Sequence, residues 1–238
     1  MDWDPYLLAK TLGIAVFIFA GGVSASRHLS LSLAKTFTIN LLTVLSGFVV
    51  SRLWFILQHA FGREAYGVRT ILEAWNDAGS VLYGWILGGF LAIVVLTKWL
   101  KIPTVRYFDR VLPWLLIAQA LNRLGCFDAG CCYGDVTTCP IFVLDMDGVE
   151  RLIPVQLYEA AVDAGLAALI WTRAYRRGLS TLIYFTGYPA ARFFLEFWRG
   201  DNQPALGILT VPQVASLLVL LAVFTWRKNI LEPKSIRS

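Results

Sequence analysis

The chain has 238 residues, 57% of them hydrophobic and only 16% charged, with a mean hydropathy of +0.62. Soluble domains carry about 25% charged residues, so this one lacks the polar surface to dissolve, which excludes a water-soluble enzyme. The net charge of +5 does not mark a nucleic-acid binder either, because the basic residues form no single patch and alternate with position along the chain.

Taken in order, the apolar runs predict seven spanning segments, each near the roughly 20 residues that a hydrocarbon core demands. They fall at Tyr6–Ser24, Lys35–Leu57, Ser80–Leu100, Val105–Gly125, Val155–Arg173, Ser180–Trp198 and Ile208–Trp226. The first is not read as a cleaved signal, because its flank Met1-Asp2-Trp3-Asp4 is acidic where a basic flank is expected. Backbone polar groups in lipid must be satisfied internally, and runs of this length are helices rather than the alternating strands of a barrel. The expected fold is an all-α polytopic membrane helix bundle. A single transmembrane domain covers 1–238, with outer loops at 58–79 and 126–154.

Charge fixes the expected orientation. One set of loops holds Arg27 and Lys35, then Lys98, Lys101, Arg106 and Arg110, then Arg173, Arg176 and Arg177, then Arg227, Lys228, Lys234 and Arg237, against only Asp109 and Glu232. The other set is mixed and net acidic. Lys and Arg are retained on the cytoplasmic side, which puts the N-terminus outside and the C-terminus in the cytoplasm.

Ionisable residues within spans are costly and face polar cavities. Here they are Arg52, Arg123, Glu159, Asp163, Arg192 and Glu196. Tyr188, Arg192 and Glu196 follow at i, i+4 and i+8 and share one face of a helix. An Arg–Glu pair at that spacing can simply neutralise itself. Arg123 and Arg52 have no carboxylate at helical spacing, and guanidinium forks suit phosphate or carboxylate. Together they point to an anionic lipid headgroup.

All four cysteines, Cys126, Cys131, Cys132 and Cys139, lie in one outer stretch. That compartment is oxidising, so one or two disulfides pinning the loop is the plain expectation. The sharper one keeps a free thiol, Cys131 above all, as a reactant activated by Arg123. The spacing is not the paired C-x2-C of a zinc site, and neither a metal nor a cofactor is expected.

The stretch Asn122-Arg123-Leu124-Gly125-Cys126-Phe127-Asp128-Ala129-Gly130-Cys131-Cys132-Tyr133-Gly134 resembles the signature segment of the prolipoprotein diacylglyceryl transferase family. Pro154-Val155-Gln156-Leu157-Tyr158-Glu159 resembles that family's P-x-Q-L-Y-E. Gly187-Tyr188 through Arg192, Glu196 and Arg199 is similar to its Y-G-x-x-R-F-x-x-E-F-x-R, and Ser51-Arg52-Leu53 to its G-A-R-L. The resemblance implies a bacterial inner-membrane enzyme with its site toward the non-cytoplasmic side. It implies transfer of a diacylglyceryl group from phosphatidylglycerol to the thiol of a lipoprotein precursor. On it, Arg123, Arg192 and Glu196 fall on catalytic positions, and Arg52, Tyr188, Gln156, Tyr158, Glu159, Gly134 and Cys132 on substrate-binding ones.

The departures are equally specific. Tyr83 stands where the family has a third-span histidine, Cys126 where it has asparagine, and Cys131 where it has glutamate. Phosphate-facing parts are kept and thiol-facing parts changed. The expected reading is a paralogue with an anionic phospholipid donor and altered acceptor or activation chemistry, in which Tyr83, Cys126 and Cys131 join the catalytic set. A membrane thiol–disulfide oxidoreductase and a non-catalytic lipid-binding relative are the alternatives.

Overall fold

A computed structural model describes residues 4–61, 82–136, 144–146, 150–173, 176–200, 204–206 and 209–231. Most of the 58–79 loop, Cys139 and the side chain of Tyr83 lie outside the described residues. The described chain is an all-helical bundle with two small hairpins. Its helices are α1 (Pro5–Leu29), α2 (Leu33–Phe61), α3 (Leu82–Trp99), α4 (Thr104–Asp128), α5 (Val155–Arg173), α6 (Leu179–Leu195) and α7 (Val211–Leu231). Each corresponds to one of the seven apolar segments read from the sequence.

Among the described residues, three stretches are long and apolar enough to cross a membrane: Pro5–Leu29, Leu33–Leu57 and Val211–Leu231. Gly84–Trp99 is a shorter apolar helix. Their outward faces are oily. Leu218, Leu221 and Phe224 on α7 are each more than 60% exposed, an arrangement that water penalises and lipid accepts.

The chain divides into two compact units, one of residues 25–107 and one of Met1–Ser24 with Phe108–Ser238. The 25–107 unit is built on close helix approach. A Cβ on Gly84 would collide with the backbone of Ser51, and one on Gly88 would lie 2.6 Å from the carbonyl oxygen of Ser46. The Ser46 hydroxyl donates to the Gly88 carbonyl at 3.0 Å. Small residues at such crossings let backbones meet in a setting where apolar burial gives little drive. Tyr107 is fully buried and donates its hydroxyl to Asn40 Oδ1 at 2.7 Å.

In the second unit, α1 lies against α4 at two more small residues. A Cβ on Gly13 would sit 2.8 Å from the Ala118 oxygen, and one on Gly125 would sit 2.7 Å from Ala9 Cβ. Helix α6 begins without a cap of its own, since Gly178 has no side chain to offer. Asp109 supplies one from α4: its carboxylate accepts from Gly178 N at 2.6 Å, Thr181 N at 3.0 Å and the Thr181 hydroxyl at 2.8 Å. A carboxylate is the favoured group at a helix start, which explains why an acidic residue stands among the basic loops. Helix α7 starts with a capping box, in which Thr210 N donates to Gln213 Oε1 at 3.0 Å and Gln213 N to Thr210 Oγ1 at 3.4 Å.

The hairpins are β1 (Leu144–Met146) with β2 (Glu150–Leu152), and β3 (Pro204–Leu206) with β4 (Leu209–Thr210), both antiparallel. Between α4 and α5 the backbone is threaded tightly. Gly134 N donates to Ile153 O at 2.8 Å, Asp135 N to Trp198 O at 2.9 Å and Ile153 N to Asp135 O at 3.1 Å. A Cβ on Gly134 would press on Trp198 O, Val155 and Ile153. Gly134 is where two chain segments cross.

Candidate functional site

Three helices and the short 3-10 turn Glu196–Trp198 gather the charged residues of the second unit. Arg123 comes from α4, Gln156, Glu159 and Asp163 from α5, and Tyr188 and Arg192 from α6, with Glu196 and Arg199 in and just after the turn. Arg123 Nε pairs with Glu159 Oε2 at 2.7 Å. Arg192 reaches Glu159 Oε1 with one nitrogen at 2.5 Å and Glu196 Oε2 with another at 2.9 Å. Arg199 lies 3.6 Å from Glu159 and 3.9 Å from Glu196. The Thr210 hydroxyl donates to Glu196 Oε1 at 2.8 Å. Every member is nearly sealed, with side-chain exposures from 0% to 11%.

The i, i+4 pair Arg192–Glu196 therefore forms as its spacing predicts, but it is one edge of a larger network. Arg123, which lacks a carboxylate partner along its own helix, finds Glu159 across helices. Three guanidiniums share the carboxylates of Glu159 and Glu196, with Asp163 beside them in the cleft, and the Arg192 Nε donor is buried without a hydrogen-bond partner among the described residues. Buried donors are ordinarily satisfied. Glu159, Asp163, Tyr188 and Arg192 line a cleft with Val162, Ala191 and Leu195. The space closest to these side chains, ≈ 10 Å³, suits about one water molecule, and the cleft opens outward from there. Tyr188 stacks flat on Tyr184, with ring centroids 5.7 Å apart and an interplanar angle of 5°.

The cysteine loop lies beside this network. Cys126 is buried, Cys131 and Cys132 are half-buried, and all three are free thiols. The disulfide staple expected from the compartment is not formed among these three, which the turn ending helix α4 instead gathers as free thiols. Their sulfurs all lie within 4.8 Å of one another. Gln156 Nε2 donates to the Cys131 carbonyl at 2.6 Å, tying α5 to this loop. The thiolate character expected of Cys131 falls on its neighbour. A hydrogen bond from Cys126, with Arg199 and Arg123 nearby, draws the Cys132 thiol down to about 5 against the cost of burial. Burial and the adjacent Cys132 push the Cys131 thiol up.

Other expected positions fall elsewhere. Tyr158 packs edge-on against Trp198, with centroids 6.2 Å apart. Arg52 belongs to the 25–107 unit, where its guanidinium lies over the Phe55 ring at 5.9 Å. The backbone of Tyr83 is helical, near the start of α3. Two network members escaped the sequence reading. Arg199 had a signal, its i+3 spacing from Glu196, and Thr210 had the Thr-x-x-Gln pattern of a capping box.

The family model for prolipoprotein diacylglyceryl transferase matches residues 3–227. The chain belongs to that family. A phosphatidylglycerol–prolipoprotein diacylglyceryl transferase of Clostridium perfringens, designated 2, is 31% identical over 201 residues, covering 79% of this chain and 75% of the relative. The transferase of Clostridioides difficile is 26% identical over 237 residues, covering 95% and 92%. That of Staphylococcus aureus is 28% identical over 224 residues, covering 87% and 79%. The chain is thus a member of an enzyme family of diacylglyceryl transferases, and the motifs that carried the resemblance include Arg123, Glu159, Arg192, Glu196 and Arg199 of the buried network.

Proposed function

We propose that this protein transfers the diacylglyceryl group of an anionic, phosphatidylglycerol-like phospholipid to the thiol of a lipoprotein precursor, with acceptor activation altered from the family pattern. The observation that carries this reading is the buried arginine network, with an unpartnered Arg192 donor at a cleft. In the reaction, the acceptor sulfur forms a bond to the glycerol carbon. The bond from that carbon to the phosphate oxygen breaks, its electron pair leaves with glycerol phosphate, and the thiol proton passes to a base. Charge therefore grows on the phosphate in the transition state, where fixed guanidiniums stabilise it most. Arg123 and Arg192 are the groups assigned to that oxygen. Glu159 and Glu196 hold the forks at fixed angles, and Tyr188 and Gln156 shape the wall.

Cys132 is a weak choice of base: its neighbours draw its thiol down, and a weaker base takes a thiol proton less readily. Tyr83 takes the place of the family's histidine in the sequence, and it could accept the thiol proton only as its phenolate, a minor form near neutral pH. The oxidoreductase alternative would employ the cysteines but give the buried arginines no work.

We further infer seven spans, an outside N-terminus, a cytoplasmic C-terminus, and a plasma-membrane location with the site on the non-cytoplasmic side. The alternation of basic and acidic loops supports this. A tag after Ser238 should report cytoplasm and one within 145–150 the outside; the reverse pattern overturns the orientation. The reaction itself is tested with purified protein in phosphatidylglycerol vesicles and a lipobox peptide. Mass spectrometry should find the peptide heavier by one diacylglyceryl group, with glycerol phosphate released in equal amount. Absence of both, while a family member run alongside succeeds, would overturn the reading.

A further inference from the structure

The transfer step leaves three clustered thiols without a role, and the geometry that gathers them is specific. Helix α4 closes with Gly130 in the left-handed region at φ 64°. Gly130 N donates to Phe127 O at 3.1 Å and Cys131 N to Cys126 O at 3.1 Å. This pair of bonds is a Schellman closure, which sets the third residue from the helix end beside the second residue past the turn, positions usually filled by an apolar contact. Here they are Cys126 and Cys131. Cys132 follows at φ 63°, a conformation that side chains with a Cβ seldom adopt and that surrounding structure must enforce. That second left-handed residue brings its sulfur back to the other two.

We propose that Cys126, Cys131 and Cys132 form a three-thiolate site for one soft, monovalent d10 metal ion of the copper(I) class. Thiolate ligands select soft ions. Three sulfurs at about 2.3 Å from a metal in a trigonal array stand about 4 Å apart, within the spacing already present, whereas a disulfide needs closure to about 2 Å. Structural zinc takes four protein ligands, and only these three sulfurs converge among the described residues. The turn, and not a paired C-x2-C spacing, assembles these ligands. A bound ion would also lock the Cys131 carbonyl that receives Gln156.

The test uses the full-length protein, purified in detergent under anaerobic reducing conditions and titrated with copper(I) against a chromophoric copper(I) chelator. One equivalent should bind per chain, and X-ray absorption should show three sulfurs at about 2.3 Å. Cys126→Ser, Cys131→Ser and Cys132→Ser should each weaken binding by more than roughly 100-fold, the upper end of what loss of a supporting contact costs. Circular dichroism checks that each variant stays helical. For any that does not, protection of the wild-type thiols from iodoacetamide by one equivalent of copper(I) serves as the readout. The proposal is overturned if wild type holds no more copper(I) than the triple-serine protein, or if added copper(I) leaves all three thiols open to alkylation. It is also overturned if the unreduced protein carries a disulfide among these three cysteines. None of these outcomes depends on the transfer reaction.

Discussion

Both units join helices through small residues, but the unit that carries the arginines adds a second kind of joint. Helices α2 and α3 meet at Gly84 and Gly88, where nothing but backbone fits, and the joint is held by packing and a serine hydrogen bond. Helices α4, α5 and α6 meet instead at Arg123, Glu159 and Arg192, where charged groups are bonded to one another. Buried ion pairs seldom add net stability over apolar packing. The proposed transfer would give this arrangement a role that packing alone does not.

That contrast can be broken at several points. The largest effect is expected from Arg192→Ala, which strips Glu159 and Glu196 of a shared partner. Removing one member of a buried pair costs roughly 3–5 kcal/mol, and transfer from phosphatidylglycerol should become undetectable. Arg192→Lys separates charge from geometry. An ammonium keeps the sign but not the planar fork, so kcat/KM should fall by roughly 100-fold or more with a smaller drop in melting temperature. Wild-type turnover in that variant would show the fork to be dispensable and the network structural.

Gly84→Val should act the other way round, on stability first. Forcing a side chain into the Ser51 backbone should cost roughly 1–3 kcal/mol, read as a lower midpoint in thermal unfolding. Gly165 supplies the contrast, because a Cβ there meets nothing within 4 Å, and Gly165→Ala should be neutral or stabilising by roughly 0.5–1 kcal/mol through helix propensity. Equal behaviour of the two variants would refute the role assigned to close approach.

Asp109→Ala removes the borrowed cap of α6 and should cost roughly 0.5–2 kcal/mol. Hydrogen exchange at residues 179–182 should accelerate, while Asp109→Asn should restore most of the protection. Thr210→Val is the mildest change, at about 1 kcal/mol for a lost cap. Its sharper consequence is a shift in turnover, because Glu196 loses the hydroxyl that orients it.

Much of this was legible in the sequence. The seven helices follow from apolar length alone, and Arg123, Arg192 and Glu196 stood out because charge inside such segments is costly. Their mutual arrangement was not legible. The i, i+4 rule exposes Arg192 with Glu196, but no local spacing links Arg123 to Glu159, which meet only when α4 packs on α5. Arg199 was visible in its motif yet carried no burial signal, since it follows the end of α6. The cysteines differ: the compartment argues for disulfides, yet Cys126, Cys131 and Cys132 are free thiols, gathered by a helix-ending turn at Gly130 that no spacing rule exposes.

One hydroxyl has a wider reach than its size implies. Thr210 both opens α7 and holds Glu196, and α7 is one of the helices long and apolar enough to cross a membrane. Such helices tilt to match the thickness of the surrounding bilayer. Any tilt of α7 must pull on, or be resisted by, the hydrogen bond that sets the angle of a network carboxylate. Acyl-chain length should therefore alter turnover through the Thr210–Glu196 bond, and equal turnover in thin and thick vesicles would show the two to be uncoupled.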